Sequence, residues 1–464
     1  MKKILILLLC VLLVSFVLAG VGCKTTGVTA TTTSSETTAA AETTAAAETT
    51  AAATTITENP VTLNIWTLAG PIDQEWRAWG KYYNEEHPNV TFKFVTLDNP
   101  GMKDTLPSAL GSQEKDLDIS FYWIGSQINI WGRDGLIIDL NQYAEKNGWY
   151  DKFTSEIPGF KTPEGNLFFF PTDRITAPQF YYNKAIFEKV GAEVPKTLDD
   201  FFVVAKKIND AGYATIAIDG KSPCYGPMNI LSGLISRFMN EKDANYWFTW
   251  DLDPNKSAQT AEIFRSKEAI QAWTFLQKMI NEGVFEKGFM GVDLGASATM
   301  LYTEKAAIFP SGSWEPFTAK ATAPNLNIDF FGMPPLGDNI KYCGAYNAIV
   351  VSKAVSEEKL NVIVDLLNSI LTDKYGVETL KNGIIPIFKD INVDNYANIL
   401  DPFYVRVVKD SIAKGSLLAV SDSLMSSEQS KNFAETINKF MALQLTPEEA
   451  AQKMYDEALT ILSE

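Results

Sequence analysis

Val61, Leu63 and Ile65 alternate with Thr62, Asn64 and Trp66, and the alternation breaks over 67–70. A period of two over a short run predicts a strand feeding a loop, with a tryptophan at its rim. From Asp73 the spacing changes. Trp76, Trp79, Tyr82 and Tyr83 recur at helical intervals until Pro88 stops them. Residues 89–97 alternate again, 102–113 suit a short helix, and 117–125 read as a strand that ends in aromatics. A turn and helix over 136–150 follow. Strand, helix, strand, helix, strand predicts a parallel α/β layer.

The pattern continues with a strand over 180–183, a short helix over 184–190, and a helix over 197–211. Thr197 caps the last of these, with Asp200 three residues on. Residues 228–283 are mostly helical by periodicity. Within them Trp247 and Trp250 share one helical face, a spacing that suits core, with the wall of a cleft as the alternative. A strand over 305–314 breaks on 310–312, and 329–338 is a Pro-rich crossing segment. A strand over 344–353, a helix over 356–371 and a helical tail complete the chain.

What precedes Val61 is of another kind. Met1, Lys2 and Lys3 lead an apolar run over 4–19, then small residues and Cys23. This is the form of a secretory signal over 1–22, too short for a membrane-spanning helix. The exit "LAGVGC" resembles a bacterial lipobox, which implies lipidation of Cys23; cleavage near Gly20 or Gly22 without lipid is the alternative. Residues 23–59 are rich in Thr and Ala, with ETTAAA repeated three times over 36–53. With almost nothing to bury, this stretch is expected to stay flexible. Its reach is on the order of 30–35 Å as a coil of about 35 residues, which suits a tether. The remainder is long enough for two compact units. A net charge of −16 argues against nucleic acid and anionic lipid as partners, and fits a neutral or cationic ligand. Cys224 and Cys343 are either a disulfide or two buried thiols; their spacing does not choose.

Five segments in order carry a resemblance: "LNIWT" at 63–67, "DISFYWIGSQINIWGRDGLIIDL" at 118–140, "YYNKAIFEKVGAEVPKTLDDF" at 181–201, "EKAAIFPSGSW" at 304–314 and "VVSKAVSEEKLNVIVDLLNSILTDKYG" at 350–376, with "NGIIP" at 382–386 beside them. Together they are similar to the carbohydrate-binding solute-binding proteins of bacterial ABC transporters, the maltose-binding-protein-like family. The resemblance implies an α/β, two-lobed periplasmic-binding-protein-like fold of class II. Its hinge is crossed more than once, near 171–174, 333–336 and 371–375. Lobe 1 is then 60–172 plus 334–370, and lobe 2 is 173–333 plus 371–464. A sugar would lie between the lobes, a permease would be the partner, and the protein would act as a monomer outside the cytoplasmic membrane, held by its lipid.

Sugars stack their C–H faces on aromatic rings and offer hydroxyls to carboxylates, amides and guanidinium groups. An α/β sheet places ligands at strand C-termini. Trp66, Trp123 and Trp314 fall at such rims. The resemblance implies that Trp314 stacks on the sugar, with the glycine beside it keeping the approach open; core packing is the alternative. Asp73 is a ligand contact or an N-cap; Gln127 a contact or a solvated loop side chain. Asp173 and Arg174 are hinge candidates, and Tyr346, with Asn347, completes the set.

Catalysis finds little support. The single histidine, His87, argues against a Ser-His-Asp centre and a His-rich metal site. The Ser-x-x-Lys matches at Ser112 and Ser356 lack a Lys-Thr-Gly partner, and Ser356 is placed to cap a helix. Asp116 with Asp118 and Asp199 with Asp200 read as solvated pairs rather than acid and base. No catalytic residue, cofactor or metal is expected. A lipid-anchored carbohydrate hydrolase, or a sensing receptor or adhesin of the same fold, is the alternative.

Overall fold

A computed structural model describes residues 59–153, 157, 159–221, 225–334, 342–414, 416–418 and 425–463. The expected signal, Cys23, the tether up to 58 and Cys224 lie outside the described residues. Cys343 is a free, buried thiol that burial pushes up to about 12.

Among the described residues, eleven strands form two sheets: β1 (Val61–Leu68), β2 (Val90–Leu97), β3 (Ile119–Trp123), β4 (Phe170–Ala177), β5 (Gln179–Asn183), β6 (Ala214–Ile216), β7 (Ala306–Ser311), β8 (Ile328–Gly332), β9 (Tyr342–Val351), β10 (Ile385–Pro386) and β11 (Ser416–Leu418). The larger sheet runs β10-β4-β9-β3-β1-β2, with β11 added to β9; the smaller runs β6-β7-β5-β8. β1 lies parallel to both β2 and β3, the expected layer. β9 is antiparallel to β3 and β4, and all ten of its residues are buried. A central strand covered on both faces reads as a continuous apolar run.

Local chemistry sets the element ends. Helix Pro71–Glu86 starts two residues before Asp73, because Gly70 at φ 101° turns the chain and Pro71 occupies the first helical position. Trp76, Trp79 and Tyr83 form its buried stripe. Thr197 and Asp200 exchange the expected pair of hydrogen bonds, Thr197 N–H to Asp200 Oδ2 at 2.7 Å and Asp200 N–H to Thr197 Oγ1 at 3.3 Å, but the helix itself runs Asp200–Asp210 behind Asp199, three residues later than expected. Ser356 Oγ accepts from Lys359 N–H at 3.3 Å and caps helix Glu357–Ile370. Asp118 is not solvated but buried. It accepts from the Asn64 backbone N–H at 2.7 Å and pairs with Lys359 Nζ at 2.7 Å. Trp247 and Trp250 are core.

Two main cores define the lobes. One gathers β1–β4, most of β9 and buried residues of the segment from Val362 to Val408; the other gathers β5–β8 side chains, the helices between them and residues 425–458. The chain passes from the first to the second between β4 and β5, three residues beyond the expected 171–174. The cause is that β4 stays zipped to β9 through Ala177. It does not cross at 371–375. Helix Asp373–Lys381 instead buries Tyr375 and Leu380 in the first core, where Trp79 Nε1 donates to the Tyr375 carbonyl at 3.2 Å. Helix Pro402–Lys414 and β11 remain with the larger sheet or bridge to it. Helix Pro402–Lys414 touches both sides: Val405 and Val408 lie in the first core, and Val407 lies in the smaller core with Tyr181 and Phe309.

The passage from β8 to β9 is held by a buried cation. Arg237, on helix Tyr225–Phe238, donates through Nη2 to the Met333 carbonyl at 2.8 Å and through Nε to the Pro334 carbonyl at 3.1 Å. Arg237→Met should lower unfolding free energy by about 2 kcal/mol, because the side chain's bulk is kept while buried carbonyls lose their donor. Urea unfolding of both proteins checks this; equal midpoints would show that the clamp adds nothing.

Candidate functional site

A cavity of about 680 Å³ lies between the two cores. Its lining comes from segments that leave strands at their C-terminal ends. Asp98 and Asn99 follow β2, Trp123 ends β3, Asp219 lies beyond β6, and Ser311, Trp314 and Glu315 close or follow β7. This is where an α/β sheet presents ligands. Tyr225, Asn229, Tyr302 and Phe309 line it from the second lobe, and Ile175 and Ala345 from the strands that join the lobes.

Trp123 is held by edge contacts to Phe121 and Tyr122, with ring centroids 5.0 and 5.4 Å away. Trp314 precedes helix Glu315–Thr322 and lies flat over Gly312. A Cβ on Gly312 would stand 1.9 Å from its ring. The glycine therefore seats the indole, rather than keeping an approach open for the ligand.

Two carboxyls sit in the cavity wall with about 2% exposure each. Burial pushes Asp219 up to about 7, opposed by the Gly226 N–H that donates to its Oδ1 at 2.8 Å. Burial likewise pushes Glu315 up to about 7, opposed by the Tyr302 hydroxyl at 2.6 Å and the Ser311 hydroxyl at 2.8 Å. Behind Asp219, Glu286 accepts from the Ile218 N–H at 3.1 Å and is also raised by burial to about 7. Carboxyls poised near neutrality either donate to or accept from a hydroxyl-bearing ligand. Across the cavity the Tyr225 hydroxyl donates to Asn99 Oδ1 at 2.5 Å, joining the lobes.

Of the residues expected from the sequence, Trp123 and Trp314 meet in this cavity. The others lie elsewhere. Trp66 is inside β1, between Val95 and Ser120, because the strand runs on to Leu68; its Nε1 donates to the Asp116 carbonyl at 3.1 Å. Asp73 is neither lining nor N-cap. It sits in the first turn, accepting from Arg77 and the Thr96 hydroxyl at 2.8 Å each. Gln127 is engaged rather than solvated: its Oε1 accepts the Ser427 N–H at 2.8 Å, at the start of helix Ser427–Met441.

Arg174 and Tyr346 fail to line the cavity for one reason. β4 and β9 pair Arg174 with Tyr346 and Ile175 with Ala345. Side chains alternate faces, so a step of one residue exchanges cavity for the opposite face. Ile175 and Ala345 line the cavity, while Tyr346 is buried in the first core. Asp173 and Asn347 form the next pair on the cavity-facing side but are sealed, at 0% and 1% exposure, with Asn347 Nδ2 donating to Asp173 at 2.5 Å. Asp98, Asn99, Asp219, Tyr225, Tyr302 and Glu315 were not anticipated. Asp98 and Asn99 had a readable signal, since they follow β2 as Trp123 ends β3. Asp219 and Tyr225 lie in a stretch without period.

Residues 68–377 match the bacterial extracellular solute-binding protein family. The chain is 23% identical to an ABC transporter extracellular-binding protein of Pyrococcus horikoshii, across 68% of this chain and 70% of that one. It is 22% identical to the multiple sugar-binding protein of Streptococcus mutans, across 60% and 63%. Among solved structures it is similar to a chitin oligosaccharide binding protein, with TM-score 0.73, 18% identity and 87% and 99% coverage. It is also similar to a maltose-bound protein of T. maritima, with TM-score 0.69, 16% identity and 86% and 100% coverage. These are two-lobed, maltose-binding-protein-like α/β folds. With the family match spanning β2 to β9 and every residue that lines the cavity, the chain belongs to the bacterial extracellular solute-binding proteins.

Proposed function

We propose that this protein captures a sugar or oligosaccharide in the interlobe cavity and delivers it to an ABC permease. It would act as a monomer held outside the cytoplasmic membrane by lipid on Cys23, with 23–59 as tether. The observation that carries the reading is one cavity combining the indoles of Trp123 and Trp314 with the near-neutral carboxyls of Asp219 and Glu315. Rings take the C–H faces of a pyranose and carboxyls take its hydroxyls. The sugar ligands named for the relatives support the same class. Asp98, Asp219, Asp293 and Glu315 outnumber Lys221 in the lining, which disfavours a phosphate-bearing ligand. The proposed lobes are 59–177 plus 342–418 and 178–334 plus 425–463. They close about their connections when a ligand binds the closed form better than the open one.

A thermal-shift panel of mono- and oligosaccharides, peptides and glycerol phosphate tests this. At a hundredfold excess over Kd, a specific saccharide should stabilise by about 2.7 kcal/mol, a rise of roughly 3 °C for a chain of this length. A shift confined to peptides or glycerol phosphate, or the appearance of hydrolysis products, would overturn the reading.

A further inference from the structure

We infer that Lys103 is a positioning residue that clips the two lobes together at the cavity. The inference rests on the proposed closure of the lobes around a ligand. Lys103 lies four residues after Asn99 on helix Asn99–Gly111, so the two side chains share a face. Asn99 accepts the Tyr225 hydroxyl at 2.5 Å. Lys103 Nζ stands 5.2 Å from the ring centroid of Trp123 and 5.3 Å from that of Tyr225. Both distances are inside the roughly 6 Å at which a ring face attracts a cation.

The two rings belong to different bodies. Trp123 is buried in the first core, and Tyr225 opens helix Tyr225–Phe238 and packs on the second. Both line the cavity, whereas Lys103 does not. One ammonium is thus shared by an aromatic wall from each lobe, from outside the ligand's space. The side chain is half-buried, which limits screening.

Separating the lobes carries Tyr225 away from Asn99 and Lys103 together, while Trp123 stays with its own core. The contact is therefore made in the closed form alone, and it raises the closed fraction before any ligand arrives. Apparent affinity scales with that fraction. Lys103 sets affinity without touching the ligand.

The test compares full-length wild type, Lys103→Gln and Lys103→Arg by small-angle X-ray scattering without ligand. Titrations then follow with chitin, xylan or malto-oligosaccharide, whichever stabilises the wild type. Lys103→Gln should give a larger ligand-free radius of gyration with an unchanged melting temperature. Its Kd should weaken roughly two- to fivefold, through faster dissociation. Lys103→Arg, which keeps the cation, should restore both. Ligand-free scattering identical to wild type overturns the clip, whether or not binding weakens. The scattering arm needs no ligand, so it decides even if no saccharide binds.

Discussion

Trp314→Ala is expected to weaken saccharide binding by about 2–4 kcal/mol, roughly 30- to 900-fold in Kd, while leaving the fold intact. The magnitude combines burial of a large ring face by the ligand with the directional part of stacking. The small cost in stability follows from its position. Trp314 is only partly buried, at the end of a strand, and rests against the edge of the first core. Gly312→Ala supplies an independent arm. The added methyl would be placed 1.9 Å from the indole, so the ring must leave its seat although every cavity side chain is retained. Both variants should lose binding in calorimetric titration. Loss of several kcal/mol of unfolding free energy in Trp314→Ala would assign the indole to the core instead. Full affinity in Gly312→Ala would show that the seat is irrelevant.

Stability should fall as the pH rises from 5 to 8, and Glu75→Gln should flatten that fall. Glu75 is completely buried on helix Pro71–Glu86, where the Thr379 hydroxyl lies near its carboxyl but no hydrogen bond of good geometry reaches either oxygen. Burial holds its carboxyl well above the usual range, and the nearby Asp173 raises it further. Glu378 adds in the same direction, and Thr379 opposes. Asp173 is itself raised by burial to about 7, against the hydroxyl of Thr172 and the amide of Asn347. Tyr404 faces both carboxyls.

For a carboxyl whose folded pKa lies above its unfolded one, the stabilising contribution is complete below about pH 4. It is lost as the pH climbs through the folded value. Asp219, Glu286 and Glu315, each raised to about 7, act with the same sign. Forcing a charge onto Glu75 beside Asp173 costs on the order of several kcal/mol, since the charged groups acting on it among the described residues are the carboxylates Asp173 and Glu378. Glutamine keeps the shape and removes the titration. Melting curves of both proteins from pH 4 to 8.5 should converge in acid and separate above neutrality, with the variant more stable. Parallel curves across that range would remove the pair from the account.

Much of the architecture was legible because it rests on short-range periods. β1 and β2 show in the alternation of their apolar positions, β3 shows as a strand ending in aromatics, and helix Pro71–Glu86 shows in the spacing of Trp76, Trp79 and Tyr83. The hydrogen-bonded pairs at Thr197 and Ser356 are read from two residues three apart. Other elements were hidden. β8, "IDFFG", looks like part of a Pro-rich crossing because five residues carry too little period to announce a strand. The return of Asp373–Lys381 to the first core depends on a groove made by helix Pro71–Glu86, some 300 residues earlier.

The site divides in the same way. Trp123 and Trp314 were found because each stands at a strand's end, which the chain marks locally. Asp98, Asp219 with Tyr225, and Glu315 come from three distant segments and acquire a common purpose when the two sheets face each other. The choice of Ile175 and Ala345 over Arg174 and Tyr346 was settled by the register of β4 on β9. The sequence by itself determined most of the strands and helices and two of the rims that carry rings, because those properties repeat over two to four residues. Only the tertiary structure decided which faces look into the cavity and which carboxyls are sealed from water, because pairing register and burial belong to partners that the local chain does not contain.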